Sequence, residues 1–369
     1  MKRTFFVFGW LLSSIAVFSQ ERTAIASLPK VEIGGSQQLN IHSAIVGQEY
    51  TLQVFLPGSY SRSANKYPVM YVMDSQWDFP LIASLYGQQY FDGFIPEMII
   101  VGVTWGGPHP NPDSLRARDY TPTREARLPQ SGGAAQFLAF LKTELIPFVE
   151  KNYRADASDR GLLGCSLGGL FTLYALFTEP GLFKRYIAAS PAFGWDSEVI
   201  YRYEQQYAEN KNAPAASLYM TMGGVERGVS GFEKLSKTLN DRHYPQLRIR
   251  TRVLENTGHS GTKGEGFARG LQYVFERPDR AVDATTLNTY VGQYQTAEGT
   301  PVELKREDAG LSIVLGSGNR YSLRAANDTD FYALSEFLNL HMVYEGGRLT
   351  GFQLNRYGGS QFVRKIIDP

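Results

Sequence analysis

Arg160-Gly161-Leu162-Leu163-Gly164-Cys165-Ser166-Leu167-Gly168-Gly169 carries a short apolar run into a serine flanked by glycines. A G-x-S-x-G match decides little by itself, and its surroundings decide the rest. The run before the serine reads as a buried strand. After it, Leu170, Leu173, Tyr174 and Phe177 fall at i, i+3, i+4 and i+7, one face of a helix that Pro180-Gly181 stop. Strand, sharp turn and helix in that order make a nucleophile elbow, whose strained turn holds the hydroxyl clear of the sheet. Gly164 and Gly168 keep side chains out of the turn, and Gly169 lets the helix lie close to the sheet. Ser166 is therefore the candidate nucleophile. Cys165, on the strand end and pointing the other way, reads as a small buried hydrophobe.

Working outward, the segments from Val31 to Val46 and from Glu49 to Leu56 alternate and end in Pro57-Gly58, which predicts an antiparallel pair at a sheet edge. Val69–Met73 and Met98–Val103 are apolar throughout, as strands buried on both faces are. Phe137, Leu141, Leu145 and Phe148 have helical spacing and lead into the elbow strand. Further strands are expected at Tyr186–Ala189, Ser217–Met222 and Ile249–Leu254. Strand and helix thus alternate over about residues 28–280, which predicts an α/β fold with a mostly parallel sheet. After Arg280 the character changes to short alternating runs separated by turn signals such as Gly316-Ser317-Gly318-Asn319. A small all-β sandwich or barrel is expected over 284–369.

The 369 residues are 43% hydrophobic and 13% aromatic, enough for a large core and two domains. Lys+Arg total 37 against 36 for Asp+Glu, so no overall field favours nucleic acid or an anionic membrane. Lys2 and Arg3 precede an apolar run from Phe5 to Phe18, followed by Ser19-Gln20 and the charged Glu21-Arg22. That order is a signal peptide over residues 1–19, cleaved after Ser19, and it predicts export to the periplasm or beyond. The run falls short of the roughly 20 apolar residues a membrane span needs. With Cys165 the only cysteine, no intrachain disulfide can form, and stability must come from packing.

A serine hydroxyl needs an imidazole to take its proton and a carboxylate to orient that imidazole. The chain order of this fold is serine, acid, histidine, which leaves His243, His259 and His341. His341 lies in the β region, and His243 precedes a strand, at the wrong sheet edge. His259 follows the strand ending at Leu254, at the carboxyl edge where such sites lie, and is the candidate base. Glu226, just past the strand ending at Met222, is the candidate acid, with Asp196 as runner-up. The oxyanion needs two donors: the backbone N–H of Leu167, and one from the loop after the early buried strand, at Ser75 or Gln76. Trp77, Trp105, Tyr120, Phe193 and Trp195 are expected in loops at the same edge, where they would form an aryl-binding cleft with Arg118 beside it. Arg118 also has a simpler use, bracing its loop through Asp119. No metal-ligand spacing and no phosphate-binding glycine loop appears, so neither metal nor cofactor is called for.

Tyr67-Pro68-Val69-Met70-Tyr71-Val72-Met73-Asp74, Arg118-Asp119-Tyr120-Thr121-Pro122, the Ser166 segment and Gly258-His259 together resemble the esterase D and enterochelin esterase type of α/β-hydrolase over roughly residues 30–278. The resemblance implies catalytic roles for Ser166 and His259 and carboxylic esters as substrates, among them siderophore, feruloyl and acetyl sugar esters. Asp74-Ser75 stands where many members have Asp-Gly, and the acid varies within the family. The tail, with Tyr290-Val291-Gly292-Gln293-Tyr294, resembles a small β domain appended to bacterial serine hydrolases. The expected function is a serine carboxylesterase working through an acyl-enzyme on small-molecule esters. With the arginines read as braces, neutral aryl or short acyl esters are the expected substrates, and siderophore catecholate esters are the alternative. An acyltransferase, or a catalytically silent binding scaffold, are the remaining readings.

Overall fold

The structure is a computed structural model that describes residues 31–307, 310–334, 336–357 and 359–366; the segment read as a signal peptide lies outside them. Among the described residues no helix is long and apolar enough to cross a membrane.

Eight strands make one sheet: β1 (Ser36–Ser43), β2 (Gln48–Phe55), β3 (Tyr67–Val72), β4 (Ile99–Trp105), β5 (Ala155–Cys165), β6 (Arg185–Ala189), β7 (Ala216–Gly223) and β8 (Leu247–Leu254). Their spatial order is β1-β2-β4-β3-β5-β6-β7-β8. β2 pairs antiparallel with β1 and β4, and the remaining neighbours pair parallel. This is the α/β-hydrolase sheet. Every residue of β4 is buried, as is all of β7 after Ala216, because helices cover both faces. The edge strand expected to start at Val31 starts at Ser36 instead. A turn at Gly34-Gly35, with Gly35 at φ 79°, precedes it, and Val31 is exposed.

The helices are α1 (Ser75–Phe91), α2 (Pro112–Tyr120), α3 (Ala134–Phe140), α4 (Ile146–Asn152), α5 (Leu167–Thr178), α6 (Trp195–Glu198), α7 (Ile200–Glu209), α8 (Val229–Asp241), α9 (Thr262–Val274) and α10 (Ala284–Tyr290). α3 and α4 are joined through one π turn, Leu141–Leu145, so the expected helix through Phe137, Leu141 and Leu145 is continuous and buries these residues. α6 is a single turn whose Asp196, Ser197 and Glu198 all have positive φ.

α10, which the sequence pattern does not announce, leads into the second layer. Asp283 caps it by accepting from the Thr286 N–H. Strands β9 (Gly292–Gln295), β10 (Pro301–Arg306), β11 (Leu311–Val314), β12 (Arg320–Ala325), β13 (Asp330–Tyr332), β14 (Leu338–Glu345), β15 (Arg348–Arg356) and β16 (Gly359–Lys365) form a closed antiparallel barrel. β9 closes it by pairing with both β10 and β16. Period-two alternation turns Tyr294, Leu304, Ile313, Leu340, Phe352 and Val363 into its core. The barrel meets the α/β layers at the end of α1. Gly93, at φ 75°, lies so close to the Glu336 carbonyl that an added Cβ would stand 2.5 Å from it. Tyr90 packs on Phe337 there, and the Arg280 N–H donates to the Ala325 carbonyl at 2.8 Å.

Candidate functional site

β5 ends at Cys165, and the chain turns at Ser166 with φ 59° and ψ −120°, a conformation disfavoured for a residue with a Cβ. Leu167 begins α5 at once. The turn is possible because Gly164 and Gly168 touch: a Cβ on Gly164 would lie 2.4 Å from the Gly168 backbone. The Ser166 N–H donates to the Ala189 carbonyl, and its carbonyl accepts from Leu170 and Ala192, so backbone contacts on both sides hold the strained turn. Leu167 heads the helix, and its N–H has no intrahelical acceptor. Cys165 is buried, and burial pushes its thiol up to about 12, which removes it as a rival nucleophile.

His259 and Glu226 come from the loops after β8 and β7. The imidazole Nδ1 stands 2.6 Å from Glu226 Oε2, leaving Nε2 as the other ring nitrogen. Glu226 Oε1 accepts from the Ser190 hydroxyl at 2.6 Å and from the Gly223 N–H at 2.8 Å. Burial pushes the Glu226 carboxyl up, but the hydrogen bonds from Ser190, His259 and Gly223 outweigh it and hold the group below the ordinary carboxylate range. Gly223 is required there: a Cβ would lie 2.3 Å from the Thr257 carbonyl and 2.8 Å from Glu226 Oε1. Thr262 fastens the histidine loop by donating to the His259 carbonyl at 2.7 Å, and its hydroxyl also lies 3.0 Å from Ser190 Oγ. Among the described residues Ser166 Oγ makes no hydrogen bond. The serine–histidine contact that a triad would use is thus open, as such contacts often are before a substrate tightens them.

Among the described residues Asp196, the runner-up acid, makes no hydrogen bond or ion pair with His259, and it sits in the left-handed turn of α6. Ser190 and Thr262 were not singled out from the sequence. The one available signal for Ser190 was its place directly after β6, at the same sheet edge as the other site residues.

In the loop after β3, Ser75 is fully buried with its Oγ unpartnered, so its hydroxyl does not face a substrate. The N–H groups of Ser75 and Gln76 head α1 without intrahelical acceptors, and they are what this loop offers an oxyanion. Asp74, the left-handed cap of α1, is gripped by Arg116 through two hydrogen bonds of 3.1 and 2.8 Å, and its N–H donates to the Tyr120 hydroxyl. Tyr120 and Trp105, expected in the cleft, are instead core residues at 0% and 4% exposure. Trp105 Nε1 donates to Asp119, and Arg118 pairs with the same carboxylate at 2.7 Å, so Arg118 is a brace. Trp105 is drawn inward because Asp119, itself fully buried, needs donors, and Tyr120 because its hydroxyl accepts the Asp74 N–H. Trp195 is half-buried and donates to Thr123. Trp77 alone of the five is exposed, with the Arg116 guanidinium 5.7 Å and the Lys263 ammonium 5.9 Å from its ring. Lys263 in turn pairs with the buried Asp78 at 2.7 Å. No group of three or more His, Cys, Asp or Glu side chains placed to hold a metal occurs among the described residues.

Elbow, sheet order and site position together are those of the α/β-hydrolase fold, and the comparisons with known proteins agree. Residues 43–239 match the family described as "Putative esterase", and the chain belongs to that family. The ferri-bacillibactin esterase BesA of Bacillus subtilis is 30% identical over 176 residues, covering 44% of this chain and 61% of its own length. The chain thus spans less than two thirds of that relative. The crystal structure of the BES protein from Bacillus cereus superposes with a TM-score of 0.62 at 26% identity, over 68% of this chain and 98% of that one. An IroE-like serine hydrolase from Shewanella oneidensis gives 0.59 at 25% identity, over 67% and 82%. The family match ends before His259 and before the barrel.

Proposed function

We propose that this protein hydrolyses siderophore esters of the catecholate class through an acyl-enzyme, with Ser166 as nucleophile, His259 as general base and Glu226 as the orienting acid. Ser166 Oγ attacks the ester carbonyl as His259 Nε2 takes its proton. The alkoxide leaves with that proton, and water, deprotonated by the same imidazole, releases the acid and restores the serine. Glu226 holds Nδ1 protonated and stabilises the imidazolium. The N–H of Leu167 and an N–H of Ser75 or Gln76 would receive the oxyanion. The observation that carries the hydrolytic reading is the 2.6 Å Glu226–His259 bond at the sheet edge that also bears the strained serine.

For the substrate, similarity to an esterase named for ferri-bacillibactin favours the siderophore class over neutral aryl or short acyl esters. Trp77 supports it as an exposed ring flanked by two cations, suited to stacking on an anionic catechol. The test compares kcat/KM on a ferric catecholate triester, its iron-free form, p-nitrophenyl acetate and methyl ferulate. The proposal expects a catecholate triester to lead, and Trp77→Ala to raise KM for the triester more than for p-nitrophenyl acetate. A lead by the neutral esters would restore the simpler esterase.

A further inference from the structure

Arg248, Arg250 and Arg252 alternate along β8, the outermost strand of the sheet, so the strand's period of two sets all three on one face. That face is not open to solvent on all sides. Arg269 and Tyr273 of α9, Arg277 in the chain leaving α9, and Arg324 and Tyr332 of the barrel line the same cleft. The cleft, open to solvent on one part of its surface, measures about 1030 Å³, and none of Ser166, Glu226 or His259 lies in its wall.

Its six guanidiniums are under-neutralised. Glu276 is shared between Arg248 at 3.1 Å and Arg250 at 4.0 Å, Glu265 stands 3.6 Å from Arg252, and Asp279 stands 3.5 Å from Arg324. Among the described residues Arg269 donates only to the neutral Gln272. Arg277, among the described residues, pairs with no carboxylate: it donates to the Gly93 carbonyl at 2.9 Å and to Asn339, and stacks 3.7 Å from the Tyr332 ring. Burial without an anionic partner pulls its guanidinium down to about 10. A chain whose total net charge is +1 therefore gathers three uncompensated positive charges around one cavity. Tyr273 lies under two of these groups, with Arg250 4.4 Å and Arg248 5.0 Å from its centroid, which keeps their planar forks oriented.

Cations on an outer strand commonly serve to discourage edge-to-edge pairing. That use accounts for β8 alone. It does not account for Arg269, Arg277 and Arg324, which reach the same cavity from three other elements.

We propose that this cleft is a binding site for a small polyanion carrying two or more phosphate or carboxylate groups, held by bidentate guanidinium contacts. Such oxyanions match the fork geometry of arginine, and a multivalent one is needed to engage groups on both the sheet side and the barrel side. The site is independent of the ester chemistry proposed above.

The test is calorimetric titration of the full-length protein, at about 0.15 M salt where weak surface attraction is screened, with pyrophosphate, with citrate, and with monovalent acetate as control. Saturable one-to-one binding of pyrophosphate or citrate is expected, with acetate silent. Tighter pyrophosphate binding would assign a phosphate ligand, and tighter citrate binding a carboxylate one. The exposed pair Arg250→Gln and Arg269→Gln together should weaken binding at least ~10-fold, as loss of charge-assisted contacts implies, while hydrolysis of p-nitrophenyl acetate and thermal unfolding stay unchanged. No saturable heat with either polyanion, or equal affinity in the double variant, overturns the proposal.

Discussion

The α/β part and the barrel each contain a histidine–carboxylate pair of almost the same length, His259–Glu226 at 2.6 Å and His341–Asp330 at 2.8 Å. Their surroundings separate them. Glu226 is 11% exposed and takes two further hydrogen bonds from Ser190 and Gly223, in loops at the carboxyl edge of a parallel sheet beside a strained serine. Asp330 is 41% exposed and faces His341 directly across the β13–β14 ladder, where the pair acts as a cross-strand contact on the barrel surface. A hydrogen bond of the right length is therefore no mark of a catalytic dyad. What distinguishes the Glu226 pair is a more desolvated acid and a strained serine within the same set of loops.

The sharpest way to break this contrast is to remove the groups in turn. Ser166→Ala and His259→Ala should each lower ester turnover by at least ~100-fold, the contribution of a positioned base, with unfolding temperature unchanged. The double variant should be little worse than either single one, since the two act as a unit. A smaller loss in His259→Ala, measured by steady-state kinetics, would reassign the base.

Glu226→Gln should lower kcat at least ~10-fold with little change in KM, because the carboxylate acts on the imidazolium of the transition state. It should also change acid stability. The Glu226 carboxyl is held below its ordinary value of 4.5 in the folded protein. Its stabilising contribution is thus complete above that value and disappears as pH falls through the lower folded one. Chemical denaturation at several pH values should show parent and Glu226→Gln converging as pH falls below 4.5 and through the lower folded value. Constant separation down to that range would mean the carboxylate's hydrogen bonds do not favour its charged form.

Smaller effects are expected from the barrel. Protein ending near Arg280 should remain soluble and hydrolyse p-nitrophenyl acetate, since every proposed catalytic group precedes that point, but it should unfold at a lower temperature because Tyr90 and Gly93 lose their cover. Gly93→Ala in the full chain should reproduce part of that loss, about 1–3 kcal/mol, through the positive φ and the Glu336 carbonyl. Inactive truncated protein would show that the barrel completes the cleft. The smallest change belongs to His341→Ala, expected within ~0.5 kcal/mol of the parent in stability and with full activity, as for an exposed pair.

Local pattern carried much of this protein. The apolar runs at Val69–Met73 and Met98–Val103 could only be strands buried on both faces, and the glycines around Ser166 could only serve a crowded turn, because periodicity and steric bulk are properties of a few consecutive residues. The order serine, acid, histidine, read with the sheet edge, made His259 the candidate base and Glu226, ahead of Asp196, the candidate acid, and their loops meet in space. Tertiary structure decided what depends on distant partners. Trp105 and Tyr120 had the composition of cleft residues and were drawn into the core by Asp119 and Asp74, 14 and 46 positions away in the chain. Ser190 became the support of Glu226 only because β6 and β7 are neighbours in the sheet. The alternating strands of the tail allowed either a sandwich or a barrel, and the pairing of β9 with β16 closed the barrel. Burial, hydrogen-bond satisfaction and charge compensation are set by whichever groups the fold brings within a few ångströms, and sequence separation does not reveal which those are.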